Sequence, residues 1–170
     1  MDLNGPRVVV TGGAGFIGSH VVDRLVGTGC DVLVVDDLSV GTRDNLRDAL
    51  AGGAQLVVAD VRDTDAMSRA FEGAELVLHM ACDNLRASLN DPLRTHDVNS
   101  TGTLVTALAA VEAGVERYVY VSSSEAYGSG RTELMSEDHP LDPTTVYGAS
   151  KAAGELYAAS VMRTYGLPVT

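Results

Sequence analysis

Five short runs of apolar, largely β-branched residues, each followed by a longer amphipathic stretch, restrict what this chain can become. The runs are RVVVT (7–11), DVLVVD (31–36), QLVVA (55–59), ELVLHM (75–80) and RYVYVS (117–122). A strand apolar at successive positions is buried on both faces, the condition of a parallel sheet covered by helices. Helices are expected over 16–26, 43–50, 65–71 and 92–113, and a last one over Val146–Tyr165 after a Gly-, Ser-, Asp- and Pro-rich loop at 128–143. Alternating β and α elements with short connections imply right-handed βαβ crossovers, hence an α/β fold with a doubly wound parallel sheet of five to six strands. The segment GLPVT (166–170) reads as a turn entering a further strand that has no room to form. The expectation is one domain over 1–170, either a fragment or half of a structure that a separate chain completes.

Charge narrows the partners. Twelve Lys and Arg against 23 Asp and Glu give a net charge of −11, the opposite of the Lys/Arg clustering that a nucleic-acid backbone demands. With 45% hydrophobic and 21% charged residues the composition is that of a globular protein. Cys30 and Cys82 form neither a disulfide framework nor a zinc pattern, and His20, His79, His96 and His139 lack metal-ligand spacing, so no metal is expected. The stretch 104–115 is interrupted by Thr106, Glu112 and Gly114 and falls far short of the roughly 20 apolar residues of a membrane span. With no basic-then-apolar leader at the N-terminus, a soluble, cytoplasmic chain is expected.

The first strand runs directly into TGGAGFIG (11–18). Glycines at 12, 15 and 18 permit a tight turn, close backbone approach to a pyrophosphate and helix-on-strand packing. The helix that opens at Phe16 and Ile17 aims its amides and the positive end of its dipole at the phosphates. Spaced glycines alone are ordinary turn residues; here a strand precedes them, a helix follows, and Asp36 closes the second strand with Asp37 behind it. A carboxylate there accepts from the adenosine ribose hydroxyls and repels a 2′-phosphate, which favours NAD over NADP. Arg43 either softens that preference or is a solvated residue of the next helix. Asp60 and Val61, after the third strand, fall where an adenine ring sits, although Asp60 reads equally as a helix cap.

A second constellation is SSSEAYG (122–128) at the end of the fifth strand and YGASK (147–151) on the last helix. Ligand sites of parallel sheets gather at the carboxyl ends of strands, so the serines face the crevice of the glycine turn. Tyr147 and Lys151 are four apart and share a helical face. An ammonium beside a phenol lowers its pKa, which makes Tyr147 a base for a sugar hydroxyl, with Ser123 or Ser124 holding the same oxygen. Cys82 reads as a small core residue rather than a nucleophile, and His79 as structural.

The chain resembles the extended short-chain dehydrogenase/reductase superfamily, and within it the NAD-dependent nucleotide-sugar epimerases and dehydratases. The matching stretches are TGGAGFIGSH, VVDDLSVGTRDNL, ADVRD, HMAC, VNSTGT, YVSSSEAYG and YGASK, in family order through the whole chain. The resemblance implies a Ser123–Tyr147–Lys151 catalytic set and a tightly held NAD that Tyr147 and Lys151 also contact. It places Met80 and Ala81 beside nicotinamide and sugar, and Asn99 in the architecture of the cofactor site. It makes Arg86 a diphosphate or carboxylate contact, with a surface arginine the alternative, and Ser124 a neighbour of the substrate. Helices 92–113 and 146–165 are those that pair in full-length dimers. Members of the family run about twice this length, so the resemblance implies that 1–170 is the NAD-binding Rossmann-like domain and that the C-terminal substrate-binding domain is absent. The run Ser123-Ser124-Glu125 lacks the Asp-Glu pair of dTDP-glucose 4,6-dehydratases and is closer to UDP-glucuronate decarboxylases and to some epimerases, with Glu125 either a second acid/base or a solvated side chain. The function implied is epimerisation through a 4-keto sugar; a decarboxylase or dehydratase, or a non-catalytic cofactor-binding half, are the alternatives.

Overall fold

The computed structural model describes residues 5–131 and 133–170. The strands are β1 (Arg7–Thr11), β2 (Asp31–Asp36), β3 (Gln55–Val58), β4 (Leu76–His79) and β5 (Arg117–Tyr120). All pair in parallel, in the order β3-β2-β1-β4-β5. The order reverses between β1 and β4, and at such a switch point the strand ends leave a crevice. Alternate residues of β1 feed two cores. Val8 and Val10 pack with Val22, Val34 and Leu46 on one face, and Val9 packs with Met67, Phe71, Val77 and Tyr118 on the other.

The first face is covered by α1 (Phe16–Gly27) and α2 (Arg47–Ala51), the second by α3 (Thr64–Phe71), α6 (Gly102–Glu112) and α7 (Val146–Tyr165). Burial on both faces holds for β1 and β2 but not for β3, whose Val57 and Val58 are 38% and 58% exposed. As the edge of the sheet, β3 has one neighbour and less cover. The stretch 43–50 divides into a 3-10 turn, Arg43–Leu46, and α2.

Two further expectations are corrected. The helix over 92–113 is not continuous. It is α5 (Pro92–His96), a π turn at Asp97–Thr101 and α6, and it follows a short helix, α4 (Leu85–Asn90), that the periodicity did not reveal. Asn84 caps α4 by accepting from Ala87 N–H at 3.0 Å, and Asp91 caps α5 through Arg94 N–H at 3.0 Å, so each break has its own side-chain stop. The wide π turn buries Val98, Asn99 and Ser100 together.

The second correction concerns the end of the chain, where a sixth strand does begin. Val169 pairs in parallel with Tyr118, Tyr118 N–H donates to Pro168 C=O at 2.8 Å, and Tyr120 N–H donates to Thr170 C=O at 2.9 Å. Two or three residues suffice because the open side of β5 already presents its amides in register.

Phe71 is fully buried where α3 meets the sheet. Phe71→Ala is expected to lower the unfolding free energy by about 3–5 kcal/mol, measured by urea titration against the parent chain.

Candidate active site

The glycine turn and the loop after β4 touch backbone to backbone. Gly12 has φ +70°, and a Cβ there would lie 2.6 Å from the Ala81 backbone. Gly15 is the N-cap of α1, no side chain caps that helix, and its first turn carries no acid. Its leading amides therefore stay available and the dipole is not neutralised. Phe16 and Ile17 stand 80% and 67% exposed at the rim.

Between these loops lies a cleft of about 340 Å³. Gly12, Gly15, Phe16, Ile17, Asp36 and Asp37 line one part of it, and Asp60, Val61, Met80 and Ala81 another, as expected from their positions after the strands. Cys82 lines it too, in the loop expected to border the nicotinamide, and so do Ser39, Val40, Gly41, Asp83, Asn84 and Val98, which were not singled out. Gly18 and Asn99 are buried behind the wall, and Arg86 is exposed on α4, outside it.

Acidic side chains in the wall are held individually. Asp36, 7% exposed, accepts from Ala14 N–H and Leu38 N–H, both at 2.9 Å, one on each carboxylate oxygen. It thus ties the glycine turn to the end of β2 and bends the chain so that Leu38 takes φ +57°. Each oxygen keeps a lone pair for a ligand hydroxyl. Asp37 receives Arg94 Nη2 at 3.4 Å, while Arg94 Nε reaches the buried Asp83 at 3.2 Å. Asp60 is not a cap: the fork of Arg62 grips it, with Nη2 at 2.6 Å, and that hydrogen-bonded pairing draws its carboxyl below the usual range. Asp63 caps α3 instead, accepting from Ala66 N–H at 3.0 Å.

At the other end of the crevice α7 meets the end of β5. Thr145 caps α7 by accepting from Gly148 N–H at 2.9 Å. Gly148 must be glycine, because a Cβ there would lie 2.4 Å from the Glu125 carbonyl. That contact seats Tyr147 against the turn Ser124–Ala126. The three serines diverge: Ser122 Oγ–H donates to Glu155 Oε1, Ser123 Oγ accepts from Glu125 N–H at 3.2 Å and acts on the Tyr147 phenol, and Ser124 is exposed. Lys151 is 3% exposed, with Nζ donating to Val121 C=O at 2.5 Å and lying 4.4 Å from the centre of the Tyr120 ring. Cys82, in the cleft wall, acts on both Tyr147 and Lys151 and so joins cleft to side-chain cluster.

The expected depression of the tyrosine is not found. Burial pushes the Tyr147 phenol above its ordinary value, Ser123 opposes that, and Cys82 and Glu125 add to it. Lys151 spends its ammonium on the Val121 carbonyl and the Tyr120 face, and burial lowers its own pKa. Cys82 is not the core residue expected: it is exposed in the cleft wall, where desolvation raises its thiol, the direction opposite to that of an activated nucleophile.

The family model described as the NAD dependent epimerase/dehydratase family matches residues 8–170. The chain belongs to that family. It is 39% identical over 165 residues to the UDP-glucose 4-epimerase of Mycolicibacterium smegmatis, covering 95% of this chain and 53% of that protein. It superposes on DesIV, a dTDP-glucose 4,6-dehydratase from Streptomyces venezuelae with NAD and TYD bound, with a TM-score of 0.90 and 38% identity over 96% of this chain and 53% of that one. A UDP-N-acetylglucosamine 4-epimerase from Methanobrevibacter ruminantium gives a TM-score of 0.91 at 32% identity, covering 98% of this chain and 54% of that one. The chain spans about half the length of the curated relatives it matches.

In this family member the π turn supplies the link between cleft and cluster. Asn99 Oδ1 accepts from Asp83 N–H at 2.7 Å; its amide nitrogen donates to Asp83 C=O at 3.0 Å and to Ser150 Oγ at 2.9 Å. Asn99 therefore positions the wall rather than facing the cleft. Below it, Thr103 O–H donates to Asn99 C=O at 2.6 Å and must accept from His79 Nε2–H at 3.1 Å. The remaining nitrogen, Nδ1, then accepts from Thr11 O–H at 2.7 Å, whose oxygen receives Met80 and Ala81 N–H at 3.2 and 3.3 Å. His79 is structural, as expected, and burial pushes its pKa down to about 3. Among the described residues, no group of side chains could hold a metal ion, and no helix is long and apolar enough to cross a membrane.

The unfolded imidazole takes up a proton near pH 6.5, the folded one only near pH 3. Stability is thus expected to fall as pH drops through that window, by about 4–5 kcal/mol at its foot. In urea titrations from pH 7 to pH 4, His79→Gln should flatten that slope; an unchanged slope would refute the neutral imidazole.

Proposed function

We propose that the chain is the cofactor-binding and catalytic portion of an NAD-dependent nucleotide-sugar epimerase that oxidises its substrate at sugar C4. The observation that carries this reading is the approach of Ser123 to Tyr147, with buried Lys151 one helical turn on, beside a glycine-walled cleft. The cradle suits a dinucleotide: uncapped amides at Phe16 and Ile17 for the pyrophosphate, Asp36 for the adenosine ribose, Asp60 and Val61 at the adenine, and Met80 and Ala81 toward the nicotinamide. Bound NAD supplies the acceptor for the C4 hydride.

Tyr147 removes the proton of the 4-hydroxyl as the C4–H bond breaks, leaving a 4-keto sugar. Ser123 donates to the same oxygen and favours the phenolate, against the burial that opposes it. Return of the hydride to the opposite face of the ketone, with the proton handed back by Tyr147, yields the epimer. Ser124, exposed next to Ser123, and Arg86, exposed on α4, are the side chains assigned to the rest of the substrate.

Incubation with NAD and either UDP-glucose or dTDP-glucose, followed by chromatography, tests this directly. A new nucleotide sugar is expected, formed about 10²–10⁴-fold more slowly by Tyr147→Phe although that variant still binds NAD. Bound NAD with no product from the parent chain would overturn the reading that it catalyses alone, and mark it as a cofactor half that needs its partner.

Glu125 supports a second reading, a dehydratase or decarboxylase. Its carboxylate receives the Thr145 hydroxyl at 3.5 Å and acts on Tyr147, where a second acid/base would stand. If elimination is the reaction, Glu125→Gln is expected to abolish product while NADH still forms; an epimerase tolerates the change.

A further inference from the structure

Lys151 is the only lysine among 170 residues, against eleven arginines. An arginine keeps its charge wherever it is placed, whereas a buried lysine keeps it only if its surroundings compensate. Lys151 is 3% exposed, and its first partners, the Val121 carbonyl and the Tyr120 ring, carry no net charge.

The groups that act on it come from three directions. His79, at the end of β4, is held neutral by burial. Cys82, in the loop after β4, and Tyr120, on β5, are pushed toward their protonated forms by desolvation. On α7 stands Glu155, four residues beyond Lys151 and on the same helical face, and it favours the charged lysine.

Glu155 is itself held. Ser122 Oγ–H donates to Glu155 Oε1, next to the carbonyl of Val121 that holds Lys151. Tyr120 O–H donates to Lys151 C=O at 3.1 Å, so three consecutive residues of β5 and its end, 120 to 122, grip α7 from 151 to 155. The sequence SSS thus splits its labour, with Ser123 at the tyrosine and Ser122 at the glutamate behind the lysine.

We propose that Glu155, anchored by Ser122, is the positioning residue that holds the charged form of Lys151 in place behind Tyr147. This rests on the assignment of Lys151 to the catalytic set.

The single lysine makes the test direct. In chain grown with ¹³C-lysine, the one Cε resonance reports Lys151 through a pH titration, with neither cofactor nor sugar added. The midpoint is expected to fall by about one pH unit in Glu155→Gln, to fall less in Glu155→Asp, and to stay in place in Glu72→Gln, an equal change of net charge at an exposed site. Circular dichroism checks that each variant folds. If Glu155→Gln does not, Ser122→Ala decides, since loosening the carboxylate is also expected to lower the midpoint. An unmoved midpoint in a folded Glu155→Gln, or in Ser122→Ala where that variant decides, overturns the proposal. Failure of the parent chain to bind NAD, measured separately by calorimetry, would instead overturn the functional reading and leave the titration standing.

Discussion

The buried imidazole of His79 ties together the parts on which the rest of the structure depends. It lies at the end of β4 with Thr11 of β1 on one nitrogen and Thr103 of α6 on the other. Every donor along that line finds an acceptor, from the amides of Met80 and Ala81 through Thr11, His79 and Thr103 to the carbonyl of Asn99. Leaving one of these buried groups unpaired costs about 1–3 kcal/mol, so the loop after β4 cannot shift without disturbing the π turn. Through Asn99 the same line reaches Asp83 in the cleft wall and Ser150 on α7. Cleft and side-chain cluster are thereby joined by one hydrogen-bonded line.

Electrostatics in the cluster is set by burial more than by charge pairing. Tyr147 is raised, Lys151 lowered and Cys82 raised, each with desolvation as the largest cause. The pull of lysine on tyrosine expected from their spacing is absent because the ammonium is aimed at the end of β5. The wall of the cleft behaves differently. Arg62 and Arg94 meet Asp60, Asp37 and Asp83 there and offset part of the negative charge of the wall.

Most of the fold was legible in the sequence. Continuous apolar runs marked β1 and β2 to the residue, and the serine-ended fifth run located β5. The ten cleft-lining residues named beforehand all follow strands, where parallel sheets expose them. What escaped notice has physical reasons. Ser39, Val40 and Gly41 line the cleft after a bend at which the Asp36 carboxylate holds both Leu38 N–H and the distant Ala14 N–H, bonds that leave no periodic signal. The π turn reads as ordinary helix because DVNST, with Val98 as its one apolar residue, carries no proline or glycine to mark a change of winding. Asn84 and Asp91 were visible as capping residue types, and their order before Leu85 and Pro92 was the one sign of the breaks.

Spacing within a few residues is a property of the chain itself, so the sequence alone determined the strands, the glycine turn, the acid after β2 and the face shared by Tyr147 and Lys151. Where Ser122 and the lysine find their partners, and that Asn99 braces α7, depend on groups 30 to 51 positions away. Those were decided only by the packing of α7 and the π turn against the sheet ends, because a side chain's partner and its desolvation exist only once distant segments have closed around it.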